Sequence, residues 1–245
     1  MAFEKNMEVT SHDIDVNCHA TPTNIVKYLL ETVDSNMRFC GPSYGQLLAE
    51  HKSFIVSRTA VEVLRPLKEY EELSVSTWAS ESRSVTFPRS FLIKSGEEVV
   101  ARCLMFWALV NTENGSFIKG SDFSVSGYGT GEVIELNIPS RFKMPADIPL
   151  KKVDQHKVVY SDIDRNRHMN NTKYFDMLFG CIPNPDEVWM SSCLMNYTLE
   201  APYGRIVEIY MSDGIAEGDE TVYYFKTQID DKTNITAKMG VKKVK

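Results

Sequence analysis

Two registers of apolar residues alternate along the chain. Ile25, Leu29, Val33 and Met37 recur every fourth residue between Thr21-Pro22 and Gly41-Pro42. That period is helical, threonine supplies a cap, proline suits the first turn, and the glycine-proline pair ends the run, so the spacing predicts one long helix. Ser53 to Leu64, Leu73 to Ala79, Val85 to Lys94 and Val99 to Asn111 are instead rich in β-branched and aromatic residues, and Lys94-Ser95-Gly96-Glu97 reads as a hairpin turn. One strand, one long helix and a meander of strands make an α+β unit.

The plan then repeats. Val153 to Ser161 reads as a strand, and Thr172 to Ile182 as a helix, with Tyr174, Met177, Leu178, Cys181 and Ile182 at helical spacing before the Pro183-Asn184-Pro185 break. Strands follow at Met190 to Glu200, Ile206 to Met211, Thr221 to Ile229 and Ile235 to Val241. Between the units, Gly127, Gly129, Gly131, Pro139, Pro145 and Pro149 mark a linker that crosses the surface. Its G-x-G-x-G spacing is not the dinucleotide fingerprint, and no βαβ pattern surrounds it. The expected division is an N-terminal domain over residues 1–128, a linker over 129–150 and a C-terminal domain over 151–245.

A polar run precedes each helix. Ser161-Asp162-Ile163-Asp164-Arg165-Asn166-Arg167-His168 stands before the second, and Ser11-His12-Asp13-Ile14-Asp15-Val16-Asn17-Cys18-His19 before the first. Asp13, Ile14, Asp15, Asn17, His19 and Thr23 match Asp162, Ile163, Asp164, Asn166, His168 and Thr172 at a constant offset of 149, which indicates an internal duplication. Aligning Pro66 with Pro202 sets Glu200 opposite Leu64, so the second copy alone adds an acid to its histidine. A histidine base needs a partner that fixes its tautomer, which puts the chemistry in the second copy and makes His12 and His19 relics.

Composition narrows the class. A net charge of −6 argues against nucleic acid as a partner, and 43% hydrophobic residues suffice for real cores. Five cysteines without a Cys-x-x-Cys pair suggest neither a disulfide framework nor a zinc ribbon, and fit a reducing cytoplasm. The start lacks a signal-peptide core, and the longest apolar run, Cys103 to Val110, is too short to span a bilayer, so no stable membrane insertion is expected. The five histidines are dispersed, and neither a metal nor a cofactor is expected.

With Asp162-Ile163-Asp164-Arg165-Asn166-Arg167-His168-Met169-Asn170-Asn171 and the downstream Tyr197-Thr198-Leu199-Glu200 block, the chain resembles the acyl-acyl-carrier-protein thioesterases of plants and bacteria over essentially its whole length. The resemblance implies two tandem hotdog domains, each a long helix wrapped by an antiparallel sheet, and release of a free fatty acid from its carrier. It implies catalytic roles for Asp164, Asn166, His168 and Glu200. Plant members carry a cysteine directly after that glutamate, where this chain has Ala201. Cys193, an odd number of strand residues from Glu200, points to the other face, so water activated by His168 and Glu200 is the expected nucleophile. Asn166 or helix N–H groups would then hold the oxyanion.

Asn170, Asn171 and Tyr174 are assigned to the substrate, with helix capping the alternative for both asparagines. Phe54, Val56, Trp78, Phe87, Phe91, Met105 and Trp107 are candidates to line an acyl cavity in the N-terminal half. The carrier partner is expected to be acidic, which points to Arg141, Lys143, Lys151 and Lys152, or to Lys238, Lys242, Lys243 and Lys245, as its docking patch. The oligomeric state stays open, a homodimer included. The rival readings are a coenzyme A thioesterase of the same fold, a hotdog hydratase, and a non-catalytic acyl-binding protein.

Overall fold

Apolar side chains on one face of a helix and at alternate strand positions meet to form the core of each half. The computed structural model describes residues 2–244. In chain order the elements are β1 (Phe3–Glu8), α1 (Pro22–Cys40), α2 (Tyr44–Ala49), β2 (Lys52–Val63), β3 (Glu72–Ala79), β4 (Phe87–Ser95), β5 (Glu98–Asn111) and β6 (Phe117–Ile118). The second half follows with β7 (Lys151–Lys157), α3 (Lys173–Phe179), β8 (Val188–Tyr197), β9 (Ile206–Met211), β10 (Ile215–Glu217), β11 (Glu220–Ile229) and β12 (Lys232–Lys243).

The Thr21 hydroxyl caps α1 by accepting from Asn24 N, and Pro22 occupies its first turn. Ile25, Leu29, Val33 and Met37 are all buried, the pattern their spacing predicts. Truncating Leu29 to Ala would cost about 2–5 kcal/mol of stability, since the site is fully enclosed.

Among the described residues the strands form one antiparallel sheet ordered β1-β3-β4-β5-β2-β8-β12-β11-β9-β7. The order reads alike from either end, which is the internal duplication in three dimensions. The halves join where Arg58 to Glu62 of β2 pair with Asn196 to Ser192 of β8. This is the tandem hotdog plan that the resemblance implies. None of the helices described is long and apolar enough to cross a membrane.

Four expectations change. The second helix is seven residues, not the eleven of Thr172 to Ile182, because Gly180 closes it and Pro183 and Pro185 follow. β7 stops at Lys157, and Tyr160–Asp162 form a single 3-10 turn. β8 ends at Tyr197 rather than Glu200, because the N–H groups of Thr198 and Leu199 both turn to Asn234 O.

The alignment of the halves also shifts. Ala20 N donates to Leu67 O as Met169 N does to Ala201 O, and Val9 N donates to Glu71 O as Val158 N does to Arg205 O. Glu200 therefore stands opposite Pro66 rather than Leu64. Pattern matching through the two prolines missed this because the turns before β3 and β9 carry proline at different positions.

Residues 129–150 hold to the surface of the sheet by specific bonds. Trp78 Nε1 donates to Glu132 O at 2.6 Å, Ile134 N to Ser90 Oγ at 3.0 Å, and Asn196 Nδ2 to Phe142 O at 3.3 Å.

Candidate active site

The same turn is built twice. Asp164 N donates to His168 O at 3.0 Å and Arg167 N to Asp164 O at 2.9 Å; Asp15, Cys18 and His19 repeat both bonds. The residue before each histidine takes a positive φ, 64° at Arg167 and 59° at Cys18, so the turn closes tightly enough to aim the imidazole back across it.

An outer carboxylate fixes each turn. Asp162 accepts from Val159 N at 3.0 Å and faces His156 Nε2 at 2.7 Å, while Asp13 accepts from both N and Oγ1 of Thr10. Burial works to raise the Asp162 carboxyl, but the Val159 N–H, His156 and Lys173 outweigh it and hold the group below its usual value.

In the second copy Met169 N is bound to Ala201 O at 2.8 Å, which fixes the turn beside residues 198–202. Asn234, wholly buried, receives the Thr198 and Leu199 N–H groups and donates from Nδ2 to Leu199 O. This clamp presents Glu200. His168 Nε2 and Glu200 Oε2 lie 3.2 Å apart, with the ring one-third exposed and the carboxylate open to solvent.

Asn166 is held from two sides. Its N–H donates to Asp164 Oδ1 at 2.8 Å, and its Oδ1 accepts from the Tyr44 hydroxyl of the N-terminal half at 2.7 Å. With its oxygen committed to Tyr44, only the NH2 group of the amide is left to bond elsewhere. Arg165 reinforces the contact, its guanidinium 3.7 Å from the centre of the Tyr44 ring and 3.5 Å from Asp34 of α1. The Asp164 carboxylate thus meets the backbone of Asn166, and among the described residues no bond joins it to the His168 ring.

The remaining assigned residues lie behind this surface. Asn170 Oδ1 accepts from Thr172 N and Oγ1, a turn that starts α3, and Asn171 O meets the Tyr197 hydroxyl at 3.5 Å. Tyr174 is 2% exposed and packs edge-on against Tyr197, with burial pushing its phenol up to about 12. Cys193 is fully buried and its thiol is pushed far up, so it offers no thiolate. That burial, and not strand parity, disqualifies it, because β8 ends before Glu200.

Two family models match the chain: the acyl-ACP thioesterase N-terminal domain over residues 1–119 and the C-terminal domain over 147–243. The chain belongs to the acyl-ACP thioesterase family. It is 23% identical to an acyl-[acyl-carrier-protein] hydrolase of Cuphea viscosissima and to a palmitoyl-acyl carrier protein thioesterase of Gossypium hirsutum, both chloroplastic, over 96% of its length. It spans about three-fifths of those relatives, 61% and 62%.

Among solved structures it resembles an acyl-ACP thioesterase from Bacteroides thetaiotaomicron (TM-score 0.84, 19% identity, 98% of each chain). It also resembles the 12:0-ACP thioesterase from Umbellularia californica (TM-score 0.83, 17% identity, 99% of this chain and 94% of that one). These likenesses establish the shared fold.

The first-copy turn borders a small pocket lined by Asp15, His19, Pro66, Phe179 and Trp189 among others. Pro66 stands where Glu200 stands in the second copy, and His19 Nδ1 is buried without a partner among the described residues. A separate small cleft in the N-terminal half is lined by Val33, Met37, Phe54, Phe87, Trp107 and Tyr128 among others. Of the seven cavity candidates, Phe54, Phe87 and Trp107 reach it. Phe91 and Met105 are core, and Trp78 lies under the linker.

Both basic patches are largely neutralised. Lys151 pairs with Asp213, Lys152 with Glu208, Lys238 with Glu217 and Lys242 with Asp219. Lys245 lies outside the described residues. Arg141 instead approaches the Phe106 ring, as does Arg58, which the sequence did not single out.

Proposed function

We propose that the chain hydrolyses the thioester of fatty acyl-acyl-carrier protein to free fatty acid and carrier protein, with water as the nucleophile. The observation that carries this is the 3.2 Å approach of His168 and Glu200 at an open surface, in the same turn as an asparagine whose amide oxygen is held by Tyr44. Glu200 and His168 remove a proton from water as its oxygen attacks the thioester carbonyl carbon. The carbonyl oxygen takes up the electron pair and is held by Asn166 Nδ2. The tetrahedral intermediate collapses, the carbon–sulfur bond breaks, and the stored proton goes to the departing thiolate. Asp164 acts through Asn166.

Ala201 beside the glutamate and a buried Cys193 leave no thiolate within the quartet, which supports a route without an acyl-enzyme. The carrier docks at the pair Arg58 and Arg141, for which no carboxylate partner is found among the described residues.

The test is turnover of carrier-linked acyl chains of graded length beside the matching coenzyme A esters. His168→Ala and Glu200→Gln are each expected to lose about 10²–10⁴-fold in kcat. Near-wild-type turnover by either variant removes that residue from the mechanism. Equal kcat/KM on both carriers points to a general thioesterase.

A further inference from the structure

The same irregularity interrupts the sheet once in each half. Between the pairs Lys226–Thr236 and Gln228–Thr233, β11 has Thr227 alone, whereas β12 has both Asn234 and Ile235. A bulge of this kind breaks the alternation of faces, and Asn234 and Ile235 are both fully buried. In the first half the extra residue is Val100 of β5, between the pairs Ile93–Ala101 and Lys94–Val99. Thr198 N donates to Asn234 O as Leu64 N does to Val100 O, each at 2.9 Å. Asn234 thus corresponds to Val100 at an offset of 134, the one that sets Glu200 opposite Pro66 and Thr227 opposite Ile93.

The two bulges are filled differently. In the second half Thr227 Oγ1 donates to Asn234 Oδ1 at 2.8 Å, Asn234 Nδ2 donates to Leu199 O, and the Tyr174 phenol of α3 bonds the same amide. Asn234 and Thr227 are fully buried, and Tyr174 nearly so. In the first half the matching places hold Val100, Ile93 and Ile25, all buried and all apolar. The polar trio accompanies the acid, and the apolar trio accompanies the proline that stands in its place.

Burying an amide, a hydroxyl and a phenol is costlier than burying three aliphatic side chains. The bulge and its backbone bond form without them in the first half, so the fold does not require the trio. What the trio adds is a side-chain bond to Leu199 O, the carbonyl that leads into Glu200. Leu199 N already donates to Asn234 O at 3.0 Å, so one buried residue holds both peptide groups of Leu199.

We propose that Asn234, itself fixed by Thr227 and Tyr174, is a positioning residue that holds the Glu200 carboxylate against His168. Glu200 is open to solvent and lies beyond the end of β8, so the strand ladder does not aim it. The clamp removes the backbone rotation that would carry the carboxylate away from the ring, and misplacement of a reacting group by about 1 Å can cost roughly 10²-fold in rate. The effect on turnover rests on the hydrolysis reading; the held geometry is measured without it.

The experiment compares the wild type with Asn234→Val/Thr227→Ile, which gives the second half the packing already present in the first, with Glu200→Gln, and with the triple variant. Folding is checked by circular dichroism. On carrier-linked substrate the double variant should lose about tenfold or more in kcat with KM within about twofold, and the same pair of changes should cost nothing further in the Glu200→Gln background. The NMR signals of the His168 ring at pH 7 should move toward those of E200Q. Thr227→Val removes only the hydroxyl that fixes the amide and should shift kcat and the ring signals the same way, and Thr227→Ser should restore both. A folded double variant with wild-type kcat overturns the proposal, as does a loss that repeats in full on E200Q. Ring signals unmoved by the double variant overturn it too, and that comparison needs no turnover: a wild type that hydrolyses no thioester would sink the hydrolysis reading and leave the ring signals to decide this one. If the double variant does not fold, T227V and T227S decide by the same two readouts.

Discussion

Tyr44 reaches the site from the other half of the chain, and its contribution is energetic as well as geometric. By accepting from that hydroxyl, Asn166 Oδ1 is committed to Tyr44, and only the NH2 group of the amide is left to bond elsewhere. Tyr44→Phe deletes one hydrogen bond worth about 0.5–1.5 kcal/mol and should lower kcat by roughly tenfold, with KM little changed. Asn166→Ala should lower kcat further, and the double variant should be no worse than N166A alone, because Tyr44 acts only through the asparagine. Kinetics on the four proteins of that cycle check it; additive losses would show that Tyr44 does something else. Asp164, Asn166 and His168 could be picked out in the sequence because each sits in a local run of chemistry-bearing residues, whereas Glu200 was reached through the comparison of the halves and the family resemblance. Tyr44, Asp34 and Asn234 could not, since each meets the site only through tertiary contact.

At the scale of elements, legibility tracked the strength of the period. α1 and β9 match their predicted extents because Thr21-Pro22 caps the one and strict alternation marks the other. α2, β6 and β10 are only two to six residues long and carried no periodic signal. α3 was overread because Cys181 and Ile182 keep helical spacing beyond Gly180, yet turn off the axis before the prolines.

The turn between β7 and α3 depends on Asp162, and its protonation sets a testable pH effect. The folded pKa lies below the usual 3.8, so the stabilisation is complete above the unfolded value and fades as pH falls through the lowered one. Asp162→Asn should cost about 1–2 kcal/mol at pH 7, the gap holding down to pH ~5 and narrowing below pH ~4. Denaturant midpoints of both proteins across that range measure it. An equal gap at low pH would mean that shape and not charge matters there.

At the scale of the whole molecule, fusing two hotdog units through β2 and β8 lets one chain supply both Tyr44 and His168. The same junction concentrates positive charge in a protein whose net charge is −6. Arg58 stands opposite Asn196 in the β2–β8 register, and Asn196 Nδ2 holds Phe142 O, which brings Arg141 to the Phe106 ring beside Arg58. Burial, and then the repulsion of Arg141, lowers the Arg58 pKa. Two like charges held together without an acid are relieved by an anionic partner. Arg141→Glu should therefore raise KM for carrier-linked substrate several-fold while kcat, and both constants on a small acyl thioester, stay near wild type. The KM difference should shrink as salt rises, because exposed charges are screened over about 8 Å at 0.15 M ionic strength. If R141E slowed the small thioester equally, or if its KM effect ignored salt, the arginine pair would be bracing the sheet junction and the carrier would dock on another face.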